Sequence, residues 1–186
     1  METFDEFATV DAVCLLVKLA GGRLNHTAAL KLLYFADREA LALSGASTTR
    51  GSYVSMAKGP VISEVYDLIK GQRRSEYWSA HLAVDGYDLV LKQEPVYENL
   101  SDGDEDLLRK HWTTHQGAFS PSSFPSKLIE FSHGLSEWEA PPSGGALPIP
   151  EQRILEVQGL SADAIAACMD DAARNRYVAG LSACPN

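Results

Sequence analysis

Cysteine is scarce in this chain: Cys14, Cys168 and Cys184 are its only three, and no two form a CxxC pair. That excludes a disulfide framework and the common zinc-ribbon spacings, and leaves buried or free thiols of a reducing compartment. Cations are also in short supply, with 16 Lys and Arg against 25 Asp and Glu and a formal net charge of −9. General binding to nucleic acid needs clustered positive charge, so this balance argues against it and favours solubility or a basic partner protein. Long apolar runs are missing too. Val13–Ala20 carries Lys18 and stops at Gly21-Gly22, too short to cross a bilayer. The first residues are acidic (Glu2, Asp5, Glu6), without the basic region of a secretory leader. A cytoplasmic protein is expected. There is no G-x-S-x-G elbow, P-loop or dinucleotide fingerprint, and Gly144-Gly145 lacks the strand-before, helix-after setting of a phosphate loop.

What is present is enough for a core. Hydrophobic residues make up 45% and charged residues 22% of 186 positions, the composition of one globular domain spanning 1–186. Phe7, Val10, Val13, Cys14 and Val17 share a face, predicting a first helix over Phe4–Leu19 that Gly21-Gly22 ends. Asn25 or Thr27 can cap a second helix. In that helix Leu30, Leu33, Asp37 and Leu41 lie near one meridian, widened by Leu32, Phe35, Ala36 and Leu43, so Lys31 and Asp37 are charges that need a justification. Ser52–Ala57 reads as a strand, Gly59-Pro60 as a sharp corner, and Pro60–Lys70 as a helix stopped by Gly71. Alternation through Trp78, Ala80, Leu82 and Val84, then Asp85-Gly86, then Tyr87, Leu89 and Leu91 predicts a hairpin with a type I′ turn. Together with Ser52–Ala57 it makes a three-stranded antiparallel sheet. Ser101-x-x-Asp104 has the form of a capping box for a helix running to Gly117. Ser126–His133 is a short helix, Gly134–Pro150 an irregular loop, and 150–186 two terminal helices, Pro150–Val157 and Ser161–Leu181. The expected class is α+β, mainly helical, with one small sheet.

Three blocks then stand out in order: Lys31-Leu32-Leu33-Tyr34-Phe35-Ala36-Asp37; Tyr53-Val54-Ser55-Met56-Ala57-Lys58-Gly59-Pro60-Val61 with Tyr66-Asp67-Leu68-Ile69-Lys70-Gly71; and Leu128–His133 followed by Trp138 and Pro148-Ile149-Pro150. In this the chain resembles the Panacea domain, the SocA-type antitoxin domain of bacterial and phage toxin–antitoxin systems, also known as a phage-associated protein. The resemblance covers about Leu30 to Pro150 and departs at Ala29-Leu30, where the family often has Leu-Gln. It implies a non-enzymatic antitoxin that neutralises a cognate toxin from a neighbouring gene, by occlusion or as an adaptor to an energy-dependent protease.

His111 and His115 are four apart on a predicted helix, but Trp-Thr-Thr lies between them and no third ligand follows, so no metal, cofactor or catalytic residue is assigned. Ser132-His133 cannot work as nucleophile and base, since adjacent helical residues do not face one another. His133 is expected to be structural, packed beside Trp138. Asp37 is expected to accept from backbone N–H groups or to pair with Arg50. The partner is expected to bind at Tyr53, Lys58, Gly59, Pro60 and Tyr66, supported by Tyr34, Asp37, Glu64, His133 and Trp138. The rival readings are a hydrolase using His133 or the His111/His115 pair, and a phage accessory protein that binds a host factor. Arg73 and Arg74 beside Tyr77 and Trp78 are thin evidence for nucleic acid.

Overall fold

Two helices that are apolar on nearly every side force the rest of the chain to wrap around them. The computed structural model describes residues 4–120, 123–142 and 144–170. In α1 (Glu6–Leu19) every residue from Ala8 to Val17 is buried, and in α2 (His26–Ser44) burial runs unbroken from Thr27 to Asp37. A helix hydrophobic all round needs neighbours on all sides. Asp5 caps α1 by accepting from the Ala8 N–H at 3.1 Å, and Asn25 caps α2 by accepting from Thr27 at 3.0 Å. Gly45 ends α2 in the left-handed region at φ +73°.

One side of this pair carries a sheet of β1 (Arg23–Asn25), β5 (Asp88–Leu91) and β4 (Leu82–Asp85), in the order β1-β5-β4 and antiparallel. A second sheet, which packs on α2, holds β3 (Gly59–Ile62), β2 (Tyr53–Met56) and β6 (Leu147–Pro148), also antiparallel. Helix α5 (Asp102–His115) packs across both α1 and α2. The remaining helices are α3 (Ser63–Lys70), α4 (Glu76–His81), α6 (Ser126–His133), α7 (Glu151–Val157) and a 3-10 turn at Gln116–Ala118. A further helical stretch occupies 162–170. The rest of the expected Ser161–Leu181 helix lies outside the described residues.

The α+β class holds, and the sheet differs from the expectation. Ser52–Ala57 does not join the hairpin: there are two three-stranded sheets, because the hairpin packs on α1 while β3 packs on α2, and each sheet recruits a short strand, β1 or β6, that carries little pattern. Pro60 starts no helix. It lies in β3 opposite Ser55, on an edge strand where its missing N–H breaks no ladder. Trp78 to His81 is helical, since the Ser75 side chain accepts from the Trp78 N–H at 2.8 Å and the i,i+3 pair Trp78 and His81 is buried. The hairpin register Asp85↔Asp88 leaves Gly86-Tyr87 as its two-residue loop. Only Gly86 of that pair has positive φ, the pattern of a type II′ turn rather than I′. The capping box forms as read, with Ser101 and Asp104 each accepting from the other's backbone N–H.

Candidate partner-binding site

The three sequence blocks meet on one side of α2 and build a buried polar frame. Asp37, with no exposure, accepts from the Thr49 N–H at 2.9 Å, the Thr49 hydroxyl at 2.7 Å and the Tyr53 hydroxyl at 2.8 Å. Backbone and hydroxyl donors, not Arg50, therefore satisfy it. Burial raises its pKa to about 6, and those three hydrogen bonds pull the other way. Tyr53 stacks edge-on to Tyr34 with ring centres 5.7 Å apart. Tyr34 donates to Glu137 at 3.2 Å, and the Arg38 guanidinium reaches both Glu137 oxygens at 2.7 and 3.3 Å. Glu64 accepts from the Ser52 N–H and hydroxyl, both at 2.9 Å, which ties the start of α3 to β2.

A second buried group holds the corner. Lys31 has no exposure, and its ammonium donates to the Pro60 carbonyl at 2.6 Å. Burial brings its pKa down to about 7. Gly59 sits at φ +93°, and a Cβ there would lie 2.1 Å from Ser132 Oγ and 2.9 Å from Lys31 Nζ. Only glycine allows β3 to pass this close to α2 and α6. From the far side the Trp138 indole N–H donates to the Met56 carbonyl at 3.1 Å, and its ring stacks on His133 at 4.1 Å.

Of the residues expected to touch a partner, Tyr53, Gly59 and Pro60 are buried in this frame, whereas Lys58 is exposed and Tyr66 half-buried. Met56 pairs with Gly59, so Lys58 is one of the two residues at the hairpin tip, with its ammonium 5.2 Å from the ring centre of the exposed Phe124. Lys70 lies over Tyr66 at 5.5 Å. His26 shares this face: burial chiefly, and then the charges of Lys70 and Lys58, lower its pKa. Tyr34 and Asp37 are buried, Glu64 bonds Ser52, and His133 stacks on Trp138. Sequence reasoning gave no role to Lys31, Arg38, Ser132 or Glu137. Tyr34 and Arg38 are four apart on one helix, so a shared acidic partner was the signal to look for.

The other candidate chemistry does not assemble. His111 and His115 lie parallel, ring centres 6.0 Å apart, in a cleft of about 530 Å³ with Phe35, Leu43 and Phe131. His111 meets Glu39 at 2.9 Å, and burial lowers the pKa of both histidines. Among the described residues no three ligating side chains are grouped for a metal. The Ser132 hydroxyl donates to the Ile129 carbonyl at 2.8 Å instead of facing a base.

Fold and site together define a mixed α+β domain in which a rigid polar frame underlies an exposed basic and aromatic tip. The family model described as antitoxin SocA-like, Panacea domain, matches residues 30–139, and the chain belongs to that family. An antitoxin domain implies a toxin as partner. No curated protein and no solved structure matches the chain. Among the described residues no helix is long and apolar enough to cross a membrane.

Proposed function

We propose that this chain is a non-enzymatic antitoxin that binds a toxin encoded beside it and neutralises it. The family match over residues 30–139 carries this reading. The site geometry supports it: Lys58 and Tyr66 reach solvent from a hairpin and helix whose backbone is already pinned by Lys31, Glu64 and Trp138. Groups held in place before binding lose little conformational entropy in the complex. Neutralisation then proceeds by occlusion of the toxin surface. An adaptor that hands the toxin to an energy-dependent protease uses the same contact, and it loses protection in a protease-deficient host whereas an occluding antitoxin keeps it.

The test is co-expression with the neighbouring gene, followed by toxin affinity of Lys58→Glu and Tyr66→Ala. Anchor residues lose ~2 kcal/mol or more, about thirtyfold in affinity, with folding retained. Full affinity in both variants moves the contact to the Gly134–Pro150 loop, and a neighbour that is harmless when expressed alone sinks the antitoxin reading. Alanine at His111, His115 and His133 leaves protection intact.

A further inference from the structure

The acidic chain has a concentration of opposite charge that shares only Lys70 with the site above. A cleft of about 830 Å³ opens between the end of α3, helix α4 and the β4–β5 hairpin. Its floor is apolar, made by Leu68, Ile69, Trp78, Leu82 and Val84. Its rim carries Lys70, Arg73, Arg74 and Lys92, all exposed, and Glu76 is its single acid among the described residues. Their charges are only partly engaged: Lys70 lies over Tyr66 and Arg73 over Phe4, and the Lys92 ammonium donates to the Ser79 carbonyl. Arg73 makes a long pair with Glu6 at 4.0 Å, whereas Lys70, Arg74 and Lys92 have no ion-pair partner among the described residues. Four of the 16 basic residues thus line one cleft of a molecule whose net charge is −9.

We propose that this cleft docks an acidic, leucine-bearing segment of a partner protein. Charge complementarity selects the acid. An acidic segment is repelled by most of an acidic surface and attracted by four cations on one rim, which favours landing here. Val84, 43% exposed at the edge of the apolar floor, is the lining residue open to an aliphatic side chain placed between the charges. Nucleic acid fits less well. Trp78, the one aromatic ring in the lining, is 6% exposed and presents no face on which a base can stack. A long polyanion also has to pass the acidic surface beyond the rim. The inference does not depend on the toxin or on the Lys58 tip, so it stands or falls separately from the antitoxin reading.

The probe is a fluorescent twelve-residue peptide alternating Glu-Leu pairs with Ser, titrated into the full chain by anisotropy. Its controls are a Lys-Leu peptide of the same pattern and a single-stranded oligonucleotide of equal charge. The Glu-Leu peptide is expected to bind, and the affinity to fall about tenfold or more in Arg74→Glu with Lys92→Glu, and with rising salt. The Lys-Leu peptide, attracted only by the acidic surface outside the cleft, is expected to lose no affinity in that double variant. Lys127→Glu on α6 is expected to change nothing. Both rim positions are exposed, and a thermal melt checks that the variants fold. No binding of the Glu-Leu peptide, or binding insensitive to both rim substitutions, overturns the proposal. Tighter binding of the oligonucleotide, lost in the same variant, assigns the cleft to nucleic acid instead.

Discussion

Lys31 is the residue whose chemistry is most at odds with its surroundings. Its ammonium is fully buried with one carbonyl as its described acceptor, and its pKa falls from 10.5 to about 7. The unfolded chain therefore binds the lysine proton more tightly than the folded one between those two values, so folding gains stability as pH rises through that window. Below it both states are protonated and the desolvation penalty is felt in full. Stability should rise by ~1–2 kcal/mol from about pH 7 to about pH 8.5, most of it from Lys31. In Lys31→Met most of that rise should vanish, whatever happens to stability at a single pH, because Met also leaves the Pro60 carbonyl without its donor. Urea midpoints at the two pH values measure it. A rise that survives unchanged in the Met variant places the titration elsewhere.

At the scale of elements, the question is what fastens the segment after α6 to the body. Trp138 bonds to β2, Ser55 accepts from the Glu139 N–H at 3.2 Å, and β6 adds two residues of ladder. The strongest tie is Arg38 to Glu137. The acid's side chain has no exposure and the guanidinium 18%, and two hydrogen bonds hold their orientation. Removing one partner of a buried pair strands the other, which costs far more than losing both. Glu137→Ala is expected to destabilise by about 2–4 kcal/mol, and Arg38→Ala with Glu137→Ala by clearly less than the sum of the two single changes. Additive losses in that double-mutant cycle would mean that the pair merely sits together. The segment ahead of α5 is fastened in the same way. The Asn99 amide donates to the buried Asp11 at 2.9 Å, as does the Tyr77 hydroxyl at 2.8 Å, and Ser101 with Asp104 starts α5.

Across the whole molecule, α1 and α2 form the layer that both sheets share. Neither sheet has a core of its own: the residues that pack against them, from Val10 to Val17 and from Ala28 to Leu41, belong to one continuous cluster. Two faces with a common core should unfold together. Trp78 reports on the α4 side and Trp138 on the β2–β3 side. In single-tryptophan reporters that keep one or the other, with the remaining tryptophans changed to Phe, the urea transitions are expected to coincide. Separate midpoints would divide the fold into two cooperative units.

The helical body, the capping box and the hairpin at Gly86 were legible in the sequence because their causes are local: a period of 3.6, a hydroxyl three residues before an acid, a glycine at positive φ. The family, too, was carried by short blocks that need no coordinates. Boundaries failed where a local pattern was short and ambiguous. Four alternating residues at Trp78 fit a strand as well as a helix, and the Ser75 cap decided between them. What sequence could not supply is every relation across distance. Nothing near Tyr53 in the chain says that it bonds Asp37 on another element, and nothing near Lys58 says that it alone of its neighbours Gly59 and Pro60 reaches solvent. Glu137 looked like a loop acid until the fold carried it to Arg38, 99 residues away. Local backbone and patterning forces chose the elements. Which side chains stay buried and paired, and which remain free to meet a partner, was decided only when desolvation forced charges on distant segments to find each other.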